Sequence, residues 1–255
     1  MRLGASVGPN VAASAVWRRI ISSRFEELDY QETRLGPISL RRRIDPQLHV
    51  EIYEVKLGDE FLMSSLFTVA ERELATLGLA ASRGEHLDVL VGGLGLGYTA
   101  VTALEDARVR SLTVVDALGE VIGWHQRGLL PDAEVLNTDE RARLVEGDFF
   151  ALMRGDAQFD EAVPQRFDAI LLDIDHTPRH VLHPSHAGFY TVDGLRQLRA
   201  HLAPHGVFAL WSDDPPDAEF ITVLDETFSS TRAQVVAFPN PLTRGESTAT
   251  VYVAT

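Results

Sequence analysis

Leu87-Asp88-Val89-Leu90-Val91-Gly92-Gly93-Leu94-Gly95-Leu96-Gly97-Tyr98 decides how the rest of the chain is read. Its apolar run Val89-Leu90-Val91 is short and unbroken, the pattern of a strand buried on both faces. Gly92, Gly93, Gly95 and Gly97 follow at once. Without a Cβ they let the backbone turn tightly and come close to a ligand. Tyr98 then opens a helical stretch that runs to Glu105. A strand, a glycine-rich turn and a helix in that order mark a ligand-binding turn of an open α/β sheet. The plain alternative is a tight strand-to-helix turn with no ligand.

Working outward, further strands are expected at 111–115, 143–145, 167–172 and 206–211, with helices at 120–127, 193–202 and 217–228. Strands alternating with helices predict a mostly parallel sheet wound on both sides. Two last strands, 234–238 and 248–253, lie close together in sequence and suit an antiparallel pair. Ahead of the glycine turn, 38–40 and 49–57 alternate apolar with polar residues, punctuated by Leu35-Gly36-Pro37 and Gly58-Asp59. That is the period of half-buried strands in a small antiparallel unit. A helix over 67–79 leads into the main domain. The expected division is therefore an arm over 1–24, a β unit over 25–66 and a nucleoside-binding domain over 67–255.

The 255 residues carry 23 Lys plus Arg against 37 Asp plus Glu, a formal net charge of −14. Such a surface repels phosphate backbones and anionic lipid, which argues against nucleic-acid and membrane partners but not against a cationic ligand. The absence of cysteine excludes disulfides, thiolate metal sites and cysteine nucleophiles. Val11 to Val16 is a short apolar stretch followed by Arg18 and Arg19, which does not read as a secretory leader. No window approaches a membrane span. The cytoplasm is the default compartment.

Acids recur at the ends of the expected strands. Val114-Val115-Asp116 places a carboxylate where it accepts both hydrogen bonds of a ribose diol, or else simply precedes a helix. Glu146-Gly147-Asp148-Phe149-Phe150 offers an acid and an aromatic for an adenine, with helix capping by Asp148 as the other duty. Leu171-Leu172-Asp173-Ile174-Asp175-His176-Thr177-Pro178 puts two acids at the end of the central strand, suited to a cation or to a general base acting on an amine. His176, His180, His183 and His186 lie nearby, but Pro178 and Pro184 break any helix that would align them as metal ligands. They read as an active-site loop, with no metal.

In this order the glycine turn, Asp116, Gly147-Asp148 and the Asp173 strand end resemble class I S-adenosylmethionine-dependent enzymes. Within them the chain, from about Asp29 to Thr255, resembles the spermidine synthase (polyamine aminopropyltransferase) family and its spermidine-synthase-like branch. Phe189-Tyr190 after the acidic strand end and Glu120-Val121-Ile122 after Asp116 carry the narrower likeness. The resemblance implies a Rossmann-like, doubly wound, mostly parallel sheet of the methyltransferase type with a small N-terminal antiparallel β unit. It implies a transferase of polyamine biosynthesis, a homodimer, using decarboxylated S-adenosylmethionine and a small cationic amine, with no metal.

Carried over residue by residue, Asp173 is the general base. Gly92, Gly93, Gly95 and Gly97 line the turn under the nucleoside, Asp116 takes its ribose, and Asp148 with Phe149 its adenine. Gln31 of the pair Tyr30-Gln31 reaches the co-substrate, and Asp175 and Tyr190 face the acceptor. The chain departs from the family at Gly95, where an aspartate is usual, at Asp175, one residue early for the second acid, and near Ala70, where a tyrosine is usual. Two other functions fit the same residues: a methyltransferase using intact S-adenosylmethionine, and a non-catalytic nucleoside-binding protein of the same fold.

Overall fold

Leu87–Gly92 forms strand β5, and every residue of it is buried, as its apolar run requires. It lies inside a seven-stranded sheet. The computed structural model describes residues 25–255, in two units that divide between Leu66 and Phe67. The arm read over 1–24 lies outside the described residues.

The first unit is a four-stranded antiparallel meander of β1 (Phe25–Thr33), β2 (Gly36–Ile44), β3 (Glu51–Leu57) and β4 (Glu60–Ser64). Alternation along β2 and β3 buries Ile38, Leu40, Ile52 and Val55 completely. Ion pairs such as Arg43 with Glu54 (2.7 Å) and Asp45 (3.0 Å) occupy the polar positions.

The second unit begins with α1 (Val69–Ala81). After β5 come α2 (Tyr98–Glu105), β6 (Val109–Asp116), α3 (Gly119–Gln126), α4 (Ala133–Thr138), β7 (Ala142–Glu146) and α5 (Phe149–Arg154). The chain continues through β8 (Phe167–Leu172), a 3₁₀ segment (Pro184–Tyr190), α6 (Val192–Arg199), β9 (Leu202–Ser212), α7 (Ala218–Asp225), β10 (Thr231–Asn240) and β11 (Gly245–Ala254).

The strand order is β10-β11-β9-β8-β5-β6-β7. β7, β6, β5, β8 and β9 run parallel, and β11 is antiparallel to both β9 and β10. The two final strands thus pair as their sequence proximity suggests, with β11 inserted between β9 and β10. The chain has a Rossmann-like, mostly parallel sheet with helices on it and a separate small antiparallel β unit.

Two short helices, α4 and α5, were not read from the sequence, because six residues span less than two turns and leave no periodic trace. β9 starts at Leu202, ahead of the strand read from Gly206, and α6 stops earlier than read. Leu202 pairs with Phe167, and a register shift before the Ala169–Val207 pair absorbs the polar residues between. On one side of the sheet Phe149, Phe150, Phe189, Tyr190, Phe208 and Phe220 form a buried aromatic cluster. Full burial of each such ring stabilises the fold by about 1.5–3 kcal/mol. α1 packs against β8, β9 and β11.

Candidate functional site

From β5 the chain winds through α2 to β6 on one side, while β8 joins β5 on the other. Sheets of this kind bind ligands at such a reversal, outside the carboxyl ends of the strands. Here those ends are the glycine turn and Asp173. The Asp173 N–H donates to the Gly92 carbonyl (2.8 Å) and the Gly93 N–H to that of Val115 (2.8 Å), which carries the sheet pairing one step beyond the strands. Gly93 has φ +95°, and a Cβ there would stand 2.1 Å from the Asp173 carbonyl oxygen. Gly97 has φ +93°, and a Cβ would stand 2.8 Å from Cε1 of His125.

His125 lies wholly buried beneath this turn. Its Nε2 is 2.9 Å from the Gly95 carbonyl oxygen, and since a carbonyl only accepts, Nε2 carries the proton. Burial holds its pKa below the ordinary histidine value, which keeps the ring neutral. The sequence reading passed over His125, whose neighbours mark it only as one face of a helix.

Asp116 ends β6 half-buried. One carboxylate oxygen accepts from the N–H groups of Leu94 (2.9 Å) and Gly95 (3.5 Å), the other from that of Leu118 (2.9 Å). It therefore braces the glycine turn as well as standing beside it. Burial pushes its carboxyl above the usual aspartate value against the opposing pull of these donors. Asp148 is exposed and caps α5, accepting from the Ala151 N–H at 3.1 Å. Phe149 departs from its expected place against an adenine. Its ring is buried edge-on to Phe150 (centroids 5.5 Å) and Phe189 (5.9 Å), beneath Gly92. As the first residue of α5 it turns into the core, because the aromatic cluster offers it more apolar contact than an open cleft. Gln31 sits on β1 of the first unit, its amide donating to Asp29 at 2.7 Å.

Asp173 is half-buried and accepts a short hydrogen bond, 2.7 Å, from the Thr99 hydroxyl in the first turn of α2. Desolvation lifts its carboxyl to about 6, against the opposing effect of Thr99. The same hydroxyl lies 3.2 Å from the backbone carbonyl of Glu71, in the first turn of α1. Glu71 is lifted further, to about 8, first by burial and then by the negative charge of Asp173. The two carboxyls titrate as a coupled pair. Neither Thr99 nor Glu71 figured in the sequence reading: Glu71 stands 102 positions before Asp173 in the chain, inside an ordinary amphipathic helix.

Asp175, expected to face an acceptor, is turned inward instead. Its side chain is completely buried and accepts from the Leu182 N–H (2.7 Å), His186 Nδ1 (2.9 Å) and the Tyr190 hydroxyl (2.7 Å). His186 stacks on Phe150, with centroids 3.9 Å apart. Tyr190, the other expected acceptor contact, is buried with it, and its hydroxyl titrates well above the ordinary tyrosine range. The physical reason is that a buried carboxylate must find donors, and the loop after it supplies three. Asp175 and Tyr190 thus clamp the histidine-rich loop to the core. Tyr190→Phe is expected to destabilise the fold by about 1–3 kcal/mol by leaving Asp175 short of a donor, measured by chemical denaturation; an unchanged midpoint would refute the clamp. His183 bonds Ser185 (2.7 Å), and among the described residues no three His, Asp or Glu side chains are grouped to hold a metal ion.

No protein-family model and no curated protein sequence matches the chain. Solved structures match its fold. Spermidine synthase from Thermotoga maritima superposes with a TM-score of 0.67 at 18% identity, over 89% of this chain and 72% of that one. A spermidine synthase in complex with the transition-state analogue AdoDATO gives 0.66 at 18% identity, over 89% and 71%. Human methyltransferase-like protein 13 in complex with SAH gives 0.54 at 18% identity, over 72% and 81%. The fold is that of the spermidine synthases and the related S-adenosylmethionine methyltransferases.

Proposed function

We propose that this protein transfers an aminopropyl group from decarboxylated S-adenosylmethionine to a small cationic amine. The observation that carries this reading is Asp173, a carboxylate at the mouth of the sheet reversal, beside the glycine turn and with Glu71 as its near neighbour. The glycine turn and Asp116 would underlie the nucleoside, and the exposed Asp148 would take its adenine amine. Asp173 would accept a proton from the acceptor ammonium. The freed nitrogen lone pair would then form a bond to the aminopropyl carbon attached to sulfur. The carbon–sulfur bond breaks with its electron pair going to sulfur, which leaves as a neutral thioether. A sulfonium is already a good leaving group, so proximity and deprotonation supply the catalysis.

The fold is shared with methyltransferases, and Gly95 lacks the carboxylate usual in aminopropyltransferases, so methyl transfer from intact S-adenosylmethionine is the second reading. Electrostatics favour the first. The carboxylate tail of intact S-adenosylmethionine would meet Asp173 and Glu71, a like-charge encounter. A binding competition on the purified protein tests this. The decarboxylated form is expected to bind at least about tenfold tighter, a difference of about 1.4 kcal/mol. Preference for the intact form would point to methyl transfer, and binding of neither to a non-catalytic protein.

A further inference from the structure

The glycine turn, Asp116 and the sheet reversal place the candidate site independently of its acids, yet one mostly buried acid there has no structural task. Glu71 has its carboxylate in the first turn of α1 with no hydrogen bond or ion pair from another described residue; its backbone carbonyl faces the Thr99 hydroxyl that binds Asp173. A carboxylate held out of water without donors is costly, and proteins retain one where a ligand completes it. The charges that act on it are Asp173 and Asp213, both negative, and Arg72. The Arg72 guanidinium is itself engaged by Thr102 (3.3 Å), Asp132 (3.6 Å) and the face of the Tyr98 ring (5.0 Å).

Building on the aminopropyl-transfer reading, we propose that Glu71 is a specificity-determining residue: its carboxylate and that of Asp173 bracket one ammonium group of the bound ligands, so that an amine-bearing tail is accepted and a carboxylate-bearing tail rejected. The family's usual residues at this part of α1 offer no carboxylate in the motif quoted above; the role is assigned from the geometry of Glu71, Thr99 and Asp173 alone. In the empty site the pair keeps a proton near neutrality, since Glu71 is lifted to about 8. Arrival of an ammonium group favours the doubly ionised pair and expels that proton.

The test uses the full-length protein, with Glu71→Gln and Glu71→Asp variants, and three probes: S-adenosylmethionine, its decarboxylated form, and methylthioadenosine, which has no amine tail. Glu71→Gln is expected to bind methylthioadenosine as wild type does and to lose at least about tenfold of the preference for the decarboxylated form. Glu71→Asp is expected to keep part of that preference. Calorimetry at pH 7 in two buffers of different ionisation enthalpy should show wild type releasing a proton on binding the decarboxylated form, and none with methylthioadenosine or in Glu71→Gln. If wild type shows no preference for the decarboxylated form, the aminopropyl reading and this proposal fall together. A wild-type preference that survives intact in Glu71→Gln overturns the role of Glu71 alone. So does loss of methylthioadenosine binding in that variant, which would mark Glu71 as structural, or a wild type that releases no proton.

Discussion

Asp173→Asn is expected to cut turnover by about two to four orders of magnitude, the range that a positioned general base contributes, with methylthioadenosine affinity unchanged. The amide keeps the shape and still accepts from the Thr99 hydroxyl, so the site's geometry is spared. What it loses is the capacity to take a proton. The wild-type pH profile carries the same signature with a definite sign. A carboxyl lifted to about 6 is protonated, and useless as a base, below that value. Turnover should therefore rise with pH through about 6, and the residual activity of Asp173→Asn should lack that limb. An Asp173→Asn protein with wild-type turnover on every amine tried would remove Asp173 from the chemistry.

Gly93→Ala is expected to destabilise the protein by at least about 3 kcal/mol, or roughly 6–12 °C in midpoint for a domain of this size, and to abolish nucleoside binding. Two costs combine. The backbone at φ +95° is one that L side chains rarely adopt, and the new Cβ would meet the Asp173 carbonyl oxygen at 2.1 Å. That oxygen belongs to the main chain and cannot swing aside, so β5 and β8 would have to part at the point where the site is built. Gly128→Ala is the control. Its φ is +68° with nothing within 4 Å of the added carbon, so it carries the backbone cost alone, about 1–2 kcal/mol. Equal losses in thermal or denaturant unfolding would show that the close approach at Gly93 costs nothing.

Much of the fold was legible because its signals are local. An unbroken apolar run needs burial on both faces, and a glycine turn after it leaves few other ways to start a helix. Strand ends at Asp116, Asp148 and Asp173 follow from the same alternation of strands and helices, and the sheet places all three at its carboxyl edge. What sequence could not report is where side chains of like type point. Asp173 and Asp175 stand two positions apart in one acidic motif, yet one lines the mouth and the other is sealed under the loop by Leu182, His186 and Tyr190. Phe149 reads as a ring at a strand end but pays the core first.

By itself, then, the sequence determined the class of sheet, the glycine turn and the candidate base, since each depends on periodicity and residue type over a dozen positions. The tertiary structure alone decided the company that base keeps. Glu71, Thr99 and Asp173 come from three separate elements and meet only once α1 and α2 have packed against the sheet. Their coupling depends on burial and on a few ångströms of separation, and a linear pattern carries neither quantity.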